Sequence, residues 1–177
     1  MYIATALSIA AVLVSVLALL VAIGVALRPQ SRSGPQLGIT PGARVPDDTL
    51  RRLFGPRSVH DTLNSGAIVI LVSSDCQACR QLIDLLNERG SGFLGMPLVI
   101  IEAGREDDSR LRERASFEAL WAMDPEGLAK LAFETDVTPH LFMVRYGLVQ
   151  DRIVGYDLSQ LEAKAKSVLG ARVPAAD

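Results

Sequence analysis

Six consecutive aliphatic residues, Ala67-Ile68-Val69-Ile70-Leu71-Val72, run into Ser73-Ser74-Asp75-Cys76-Gln77-Ala78-Cys79-Arg80, which holds the only two cysteines of the chain. An unbroken aliphatic run of this length reads as a strand buried on both faces of a sheet. Beyond the cysteines, Leu82, Ile83, Leu85 and Leu86 recur at helical spacing, and Asn87-Glu88-Arg89-Gly90 supplies a helix stop. Two cysteines three apart on the first turn of a helix share one face, close enough to bond without moving the backbone. Cys76 then falls at the helix N-terminus, where free N–H groups and the macrodipole favour a thiolate. Cys79 points back towards the sheet. The pattern reads as a dithiol site in which Cys76 attacks and Cys79 resolves.

Around that unit the chain supplies one domain and an appendage. No charged residue occurs from Tyr2 to Leu27, a longer stretch than the roughly 20 residues a helix needs to cross a bilayer. No Lys or Arg precedes Arg28, so the basic start of a cleaved signal peptide is missing and residues 1–27 read as a retained transmembrane anchor. Pro29, Gly34, Pro35, Gly38, Pro41 and Gly42 make residues 28–46 read as a flexible linker, which leaves 47–177 as the folded domain. A net charge of −2 gives no footprint for nucleic acid, and no polybasic surface for lipid. Arg28 and Arg32 directly follow the span, and by the positive-inside rule they favour a cytoplasmic domain.

Within the domain, Asp47–Phe54 is expected to be a short helical or irregular piece, ended by Gly55-Pro56, and Ser58-Val59 an edge segment. Asn64-Ser65-Gly66 forms a turn into the first core strand, and Met96–Glu102 a second strand, parallel to the first. From Arg105 to Met123 a charged helical insert is expected, with Leu111, Phe117, Leu120 and Trp121 inward, and Asp124-Pro125 restarts a helix through Phe133. His140–Arg145 and Leu148–Gly155 read as two strands joined at Tyr146-Gly147. Asp157 caps a closing helix that ends at Gly170.

This order, with the C-x-x-C after the first core strand and Thr138-Pro139 before the third, resembles the thioredoxin fold: β-α-β, a helical insert, then β-β-α, here behind a single N-terminal span. Gly42-Ala43-Arg44-Val45-Pro46-Asp47, Ser65-Gly66, Tyr146-Gly147 and the 63-residue offset from Cys76 to Pro139 make the chain similar to membrane-anchored proteins of the TlpA/ResA/MauD type. The resemblance implies that Thr138-Pro139 carries a cis peptide bond shaping the substrate groove. It implies a single-pass membrane thiol–disulfide oxidoreductase with its domain outside the cytoplasm, a redox-active Cys76–Cys79 disulfide and no other cofactor. Its partners would be protein thiols or disulfides and an electron donor, possible roles being maturation of methylamine dehydrogenase or of a cytochrome c type protein.

The chain departs from that pattern in three places. Asp75 replaces the aromatic before the first cysteine, Gln77-Ala78 replaces a proline-containing pair, and Ile70 stands where a buried acid six residues before Cys76 is expected. A carboxylate beside Cys76 disfavours its thiolate, so Asp75 reads as a tuning residue. Two other readings of the cysteines stay open: a Cu(I) or Zn site made by Cys76, Cys79 and His140, and a redox-inactive docking module.

Overall fold

The computed structural model describes residues 37–55, 59–90, 95–104 and 110–170. The anchor read over 1–27 and residues 28–36 of the linker lie outside them. Among the described residues no helix is long and apolar enough to cross a membrane.

The elements are α1 (Asp47–Phe54), α2 (His60–Ser65), β1 (Ala67–Ser73), α3 (Gln77–Arg89), β2 (Leu98–Ala103), α4 (Arg110–Arg114), β3 (Leu120–Asp124), α5 (Leu128–Ala132), β4 (His140–Arg145), β5 (Leu148–Val154) and α6 (Leu158–Gly170). The strands form one sheet in the order β3-β2-β1-β4-β5. β1 and β2 are parallel, as are β2 and β3, whereas β4 runs antiparallel to both β1 and β5.

β1 is central because its side chains are apolar on both faces. Ile68, Ile70 and Val72 pack with Leu82, Ile83 and Leu86 of α3 and with Leu161, Ala165 and Val168 of α6. Ala67, Val69 and Leu71 face the other way, towards Leu50 of α1, Leu63 of α2, Ala129 of α5 and Phe133. Burying each such aliphatic side chain is worth about 1.5–3 kcal/mol, so a polar residue inside β1 would damage one layer or the other. α3 stops where Gly90 turns to φ 75° and returns its N–H to the Leu86 carbonyl. Tyr146 and Gly147, at φ 55° and 67°, make the tight β4–β5 turn that the sequence announced.

Three expectations are corrected. The insert is not helical through Met123: α4 is five residues long, and Leu120–Asp124 is an edge strand parallel to β2. Leu120 and Trp121 pack against opposite core layers, and that half-burial of consecutive residues imitates a helix pattern. Val59 leads into α2 rather than forming an edge segment; Ser58 is outside the described residues. Finally, the stretch from 37 to 46 is packed rather than free. Ile39 and Val45 are buried, and the Gly38, Ile39 and Gly42 N–H groups donate to the Glu134, Phe133 and Val149 carbonyls. At Gly38 the reason for the residue is steric: φ is 81°, and a Cβ would lie 2.6 Å from His140 Cε1.

Candidate active site

The end of β1 feeds a turn in which Cys76 N–H donates to the Ser73 carbonyl at 3.1 Å, and Cys76 becomes the N-cap of α3. Its Sγ accepts the backbone N–H of Cys79 at 3.1 Å, the capping bond that a serine oxygen makes elsewhere. The same N–H would stabilise a thiolate on Cys76 once the pair is reduced. Cys76 and Cys79 form a disulfide with Cα atoms 5.2 Å apart. Arg80 Nη1 donates to the Ser74 carbonyl at 2.7 Å and ties the loop to the helix. The two sulfurs differ in access as the sequence suggested: Cys76 is half-buried, whereas Cys79 is fully buried among Val72, Leu82 and Leu111.

Facing the disulfide is the loop into β4. The Thr138–Pro139 bond is cis, and the Thr138 carbonyl oxygen lies 3.3 Å from Cys76 Sγ. The Pro139 carbonyl accepts the Gly155 N–H at 2.9 Å, so the end of β5 holds the loop in place. Val154 and Tyr156, on either side of Gly155, are exposed and give this edge an apolar lip. Of Thr138 and Pro139, chosen from the sequence as groove residues, Thr138 therefore places its carbonyl beside Cys76 Sγ, with Pro139 next in the chain. Asp75 is exposed and borders a polar cavity of about 370 Å³ with Ser74, Arg80, Arg110, Leu111 and Arg114.

His140 does not join this group. Its strand register places it beside Leu71, on the sheet face away from Cys79. There it is fully buried, with Nδ1 2.7 Å from Thr135 Oγ1 and its ring stacked on Phe142 at 4.2 Å. Burial, with the positive charge of Arg152 nearby, lowers its pKa to about 4. A metal site of Cys76, Cys79 and His140 is excluded by this geometry, and the described residues contain no cluster of three His, Cys, Asp or Glu suited to an ion. His60 is a surface residue 3.6 Å from Asp47.

Sequence reading overlooked Glu102. It lies in β2 in register with Val72, is fully buried, and neither carboxylate oxygen has a hydrogen-bond partner. The N–H groups of Leu111 and Arg112 favour its charge without reaching hydrogen-bond geometry, and burial outweighs them and raises its pKa. The signal available was a lone acid closing an otherwise aliphatic strand. A cavity of about 820 Å³ lies by Met96, Leu98 and Leu120, at the opposite end of the parallel strands, and includes neither cysteine.

No family model and no curated protein matches the chain in sequence. Solved structures match it in fold. A Chlorobium tepidum protein named thiol:disulfide interchange protein DsbE is 21% identical, with a TM-score of 0.59 over 74% of this chain and 96% of its own. The thioredoxin domain of a Bacteroides vulgatus thiol-disulfide oxidoreductase is 13% identical, with a TM-score of 0.56 over 75% of this chain and 99% of its own. A secreted disulfide oxidoreductase of Mycobacterium tuberculosis is 12% identical, with a TM-score of 0.51 over 60% of this chain and 85% of its own. The described domain thus has a thioredoxin-like fold, and it carries a C-x-x-C disulfide at the end of β1.

Proposed function

We propose that the chain is a membrane-tethered thiol–disulfide oxidoreductase that exchanges its Cys76–Cys79 pair with partner proteins. The observation that carries the proposal is the asymmetry of the pair: a half-buried Cys76 Sγ accepts a helix N–H beside the cis-Pro139 loop, and a fully buried Cys79 stands behind it. In the reducing direction, the Cys76 thiolate attacks one sulfur of a partner disulfide and the other partner sulfur leaves as a thiolate. Cys79 then gives up its proton and attacks Cys76 Sγ. The second partner sulfur departs, two electrons have passed to the partner, and the Cys76–Cys79 disulfide remains. The exposed Val154 and Tyr156 beside Pro139 would receive an extended partner segment next to its cysteine.

The uncharged stretch from Tyr2 to Leu27 supports tethering, and the resemblance to TlpA/ResA/MauD-type proteins supports a domain outside the cytoplasmic membrane. Maturation of an extracytoplasmic redox protein is the pathway that such a location suits. Equilibrating the protein in glutathione buffers of graded potential tests the chemistry: the whole population should shift by two protons in mass with a single two-electron midpoint. A mass that never changes, or glutathione adducts on both cysteines without an internal disulfide, contradicts the exchange reading. Alkaline phosphatase fused after Asp177 tests placement; an inactive fusion puts the domain in the cytoplasm.

A further inference from the structure

The exchange cycle requires Cys79, a buried thiol, to lose a proton where water has little access. Ile70, six residues before Cys76, offers no acceptor. A carboxylate lies one strand away. Glu102 is beside Val72 in the sheet, and Val72 shares a core cluster with Cys79 and Leu111. Two residues on, a Cβ at Gly104 would lie 3.6 Å from Ser74 Oγ, so the end of β2 abuts the redox loop itself. Both carboxylate oxygens are buried without hydrogen-bond partners, a costly arrangement for a group with only a packing role.

We propose that Glu102 is the internal proton acceptor of the dithiol couple, receiving through water the proton that Cys79 releases as it attacks the mixed disulfide. This rests on the exchange reading above. The step balances: the Cys79 S–H bond breaks and its proton goes to the Glu102 carboxylate, the Cys79 sulfur bonds to Cys76 Sγ, and the partner sulfur leaves with the bonding electron pair. A polar cavity bounded by Ser74, Arg80, Arg110 and Leu111 lies beside the redox loop and the start of α4, and the proton would leave towards solvent on that side. The groups facing Glu102 suit the role. They are Val72 from β1, Met123 from β3, the titratable Cys79 on the buried face of α3 in the same core layer as Val72, and from α4 the Leu111 and Arg112 N–H groups, the Arg112 side chain being exposed. Burial makes the carboxylate a better base than one in water, and the Leu111 and Arg112 N–H groups oppose that shift in part.

The test uses the reduced full-length protein and the small aromatic disulfide 5,5′-dithiobis(2-nitrobenzoate), which releases one coloured thiolate when Cys76 attacks and a second when Cys79 resolves. In Glu102→Gln, which keeps the shape and removes the base, the first release should stay within about twofold of wild type. The second should slow roughly tenfold or more at neutral pH, and lose the wild-type inflection in its pH profile. Equal second-phase rates and profiles in the two proteins overturn the proposal while leaving the exchange reading intact. A wild-type protein that gives no second release overturns both. A measurement on wild type alone guards against a variant that fails to fold. The carbon-13 carboxyl signal of Glu102 should titrate at a different pH in the oxidised and the reduced protein, and identical titrations refute the coupling.

Discussion

Acidification should weaken the fold through His140, and the size of the effect follows from its surroundings. The ring is fully buried between Gly38 and Phe142, Nδ1 is engaged by Thr135, and Nε2 has no partner. A proton added there would be buried with Arg152 already nearby, so the folded-state pKa falls from 6.5 to about 4. Because the folded pKa is depressed, the unfolded chain takes up the proton first. Stability is therefore complete above about pH 6.5 and declines as the pH falls towards 4. Each tenfold change in proton affinity is worth about 1.4 kcal/mol, so the full loss amounts to roughly 3 kcal/mol. With a urea m-value of about 1.5 kcal/mol/M for a domain of this size, the midpoint should drop by about 2 M across that window. Glu102 acts in the opposite sense: its raised folded pKa makes protonation favour the native state, so it offsets part of the decline. Comparing wild type with His140→Leu isolates the histidine. The variant starts less stable but should lose much less on acidification, and nuclear magnetic resonance should place the wild-type His140 pKa near 4. A His140 that titrates near 6.5, or variant and wild-type stabilities that fall in parallel with pH, refutes the reasoning.

In the reduced native protein, a bulky alkylating reagent should modify Cys76 and spare Cys79, which has no exposed surface; equal labelling at matched pH contradicts the division of roles. Gly38→Ala should cost at least about 1–3 kcal/mol in chemical denaturation, because the new methyl meets the His140 and Phe142 rings at a positive φ; a neutral effect means that the N-terminal segment is not seated as described. Asp75→Ala should make the Cys76 thiolate only slightly easier to form, since the carboxylate is exposed and screened, and so make the protein slightly more oxidising. Thiolate absorbance followed against pH measures this, and a rise in the pKa contradicts it.

What could be read from the sequence was local. An aliphatic run ending in C-x-x-C and a helix stop defines β1, the redox turn and α3 without reference to the rest of the chain, and Tyr146-Gly147 defines its hairpin in the same way. The cis-Pro139 loop was legible only through resemblance, because its meaning comes from a sulfur 63 positions earlier in sequence. Edge strand β3 was hidden because Ala119–Met123 is a short apolar run between Glu118 and Asp124, and periodicity alone does not tell such a run in a strand from one in a helix. Residues 37–46 have a linker's composition yet are held by backbone hydrogen bonds, which side-chain identity does not report. His140 looked available to the cysteines, but its place beside Leu71 sends it to the other face. Glu102 was passed over because an acid at a strand end is ordinarily solvated. In the folded chain this one is fully buried, with the Leu111 and Arg112 N–H groups of α4 nearby.

The central claim is that Cys76 attacks and Cys79 resolves. Trapping tests it most directly: Cys79→Ser and Cys76→Ser variants are each reduced, incubated with a disulfide-bonded protein such as insulin, quenched with acid and analysed by mass spectrometry without reductant. Cys79→Ser should accumulate a mixed disulfide through Cys76 that wild type does not retain, and Cys76→Ser should form none. Equal adducts on the two variants, or none on Cys79→Ser while the protein remains folded, would contradict the account.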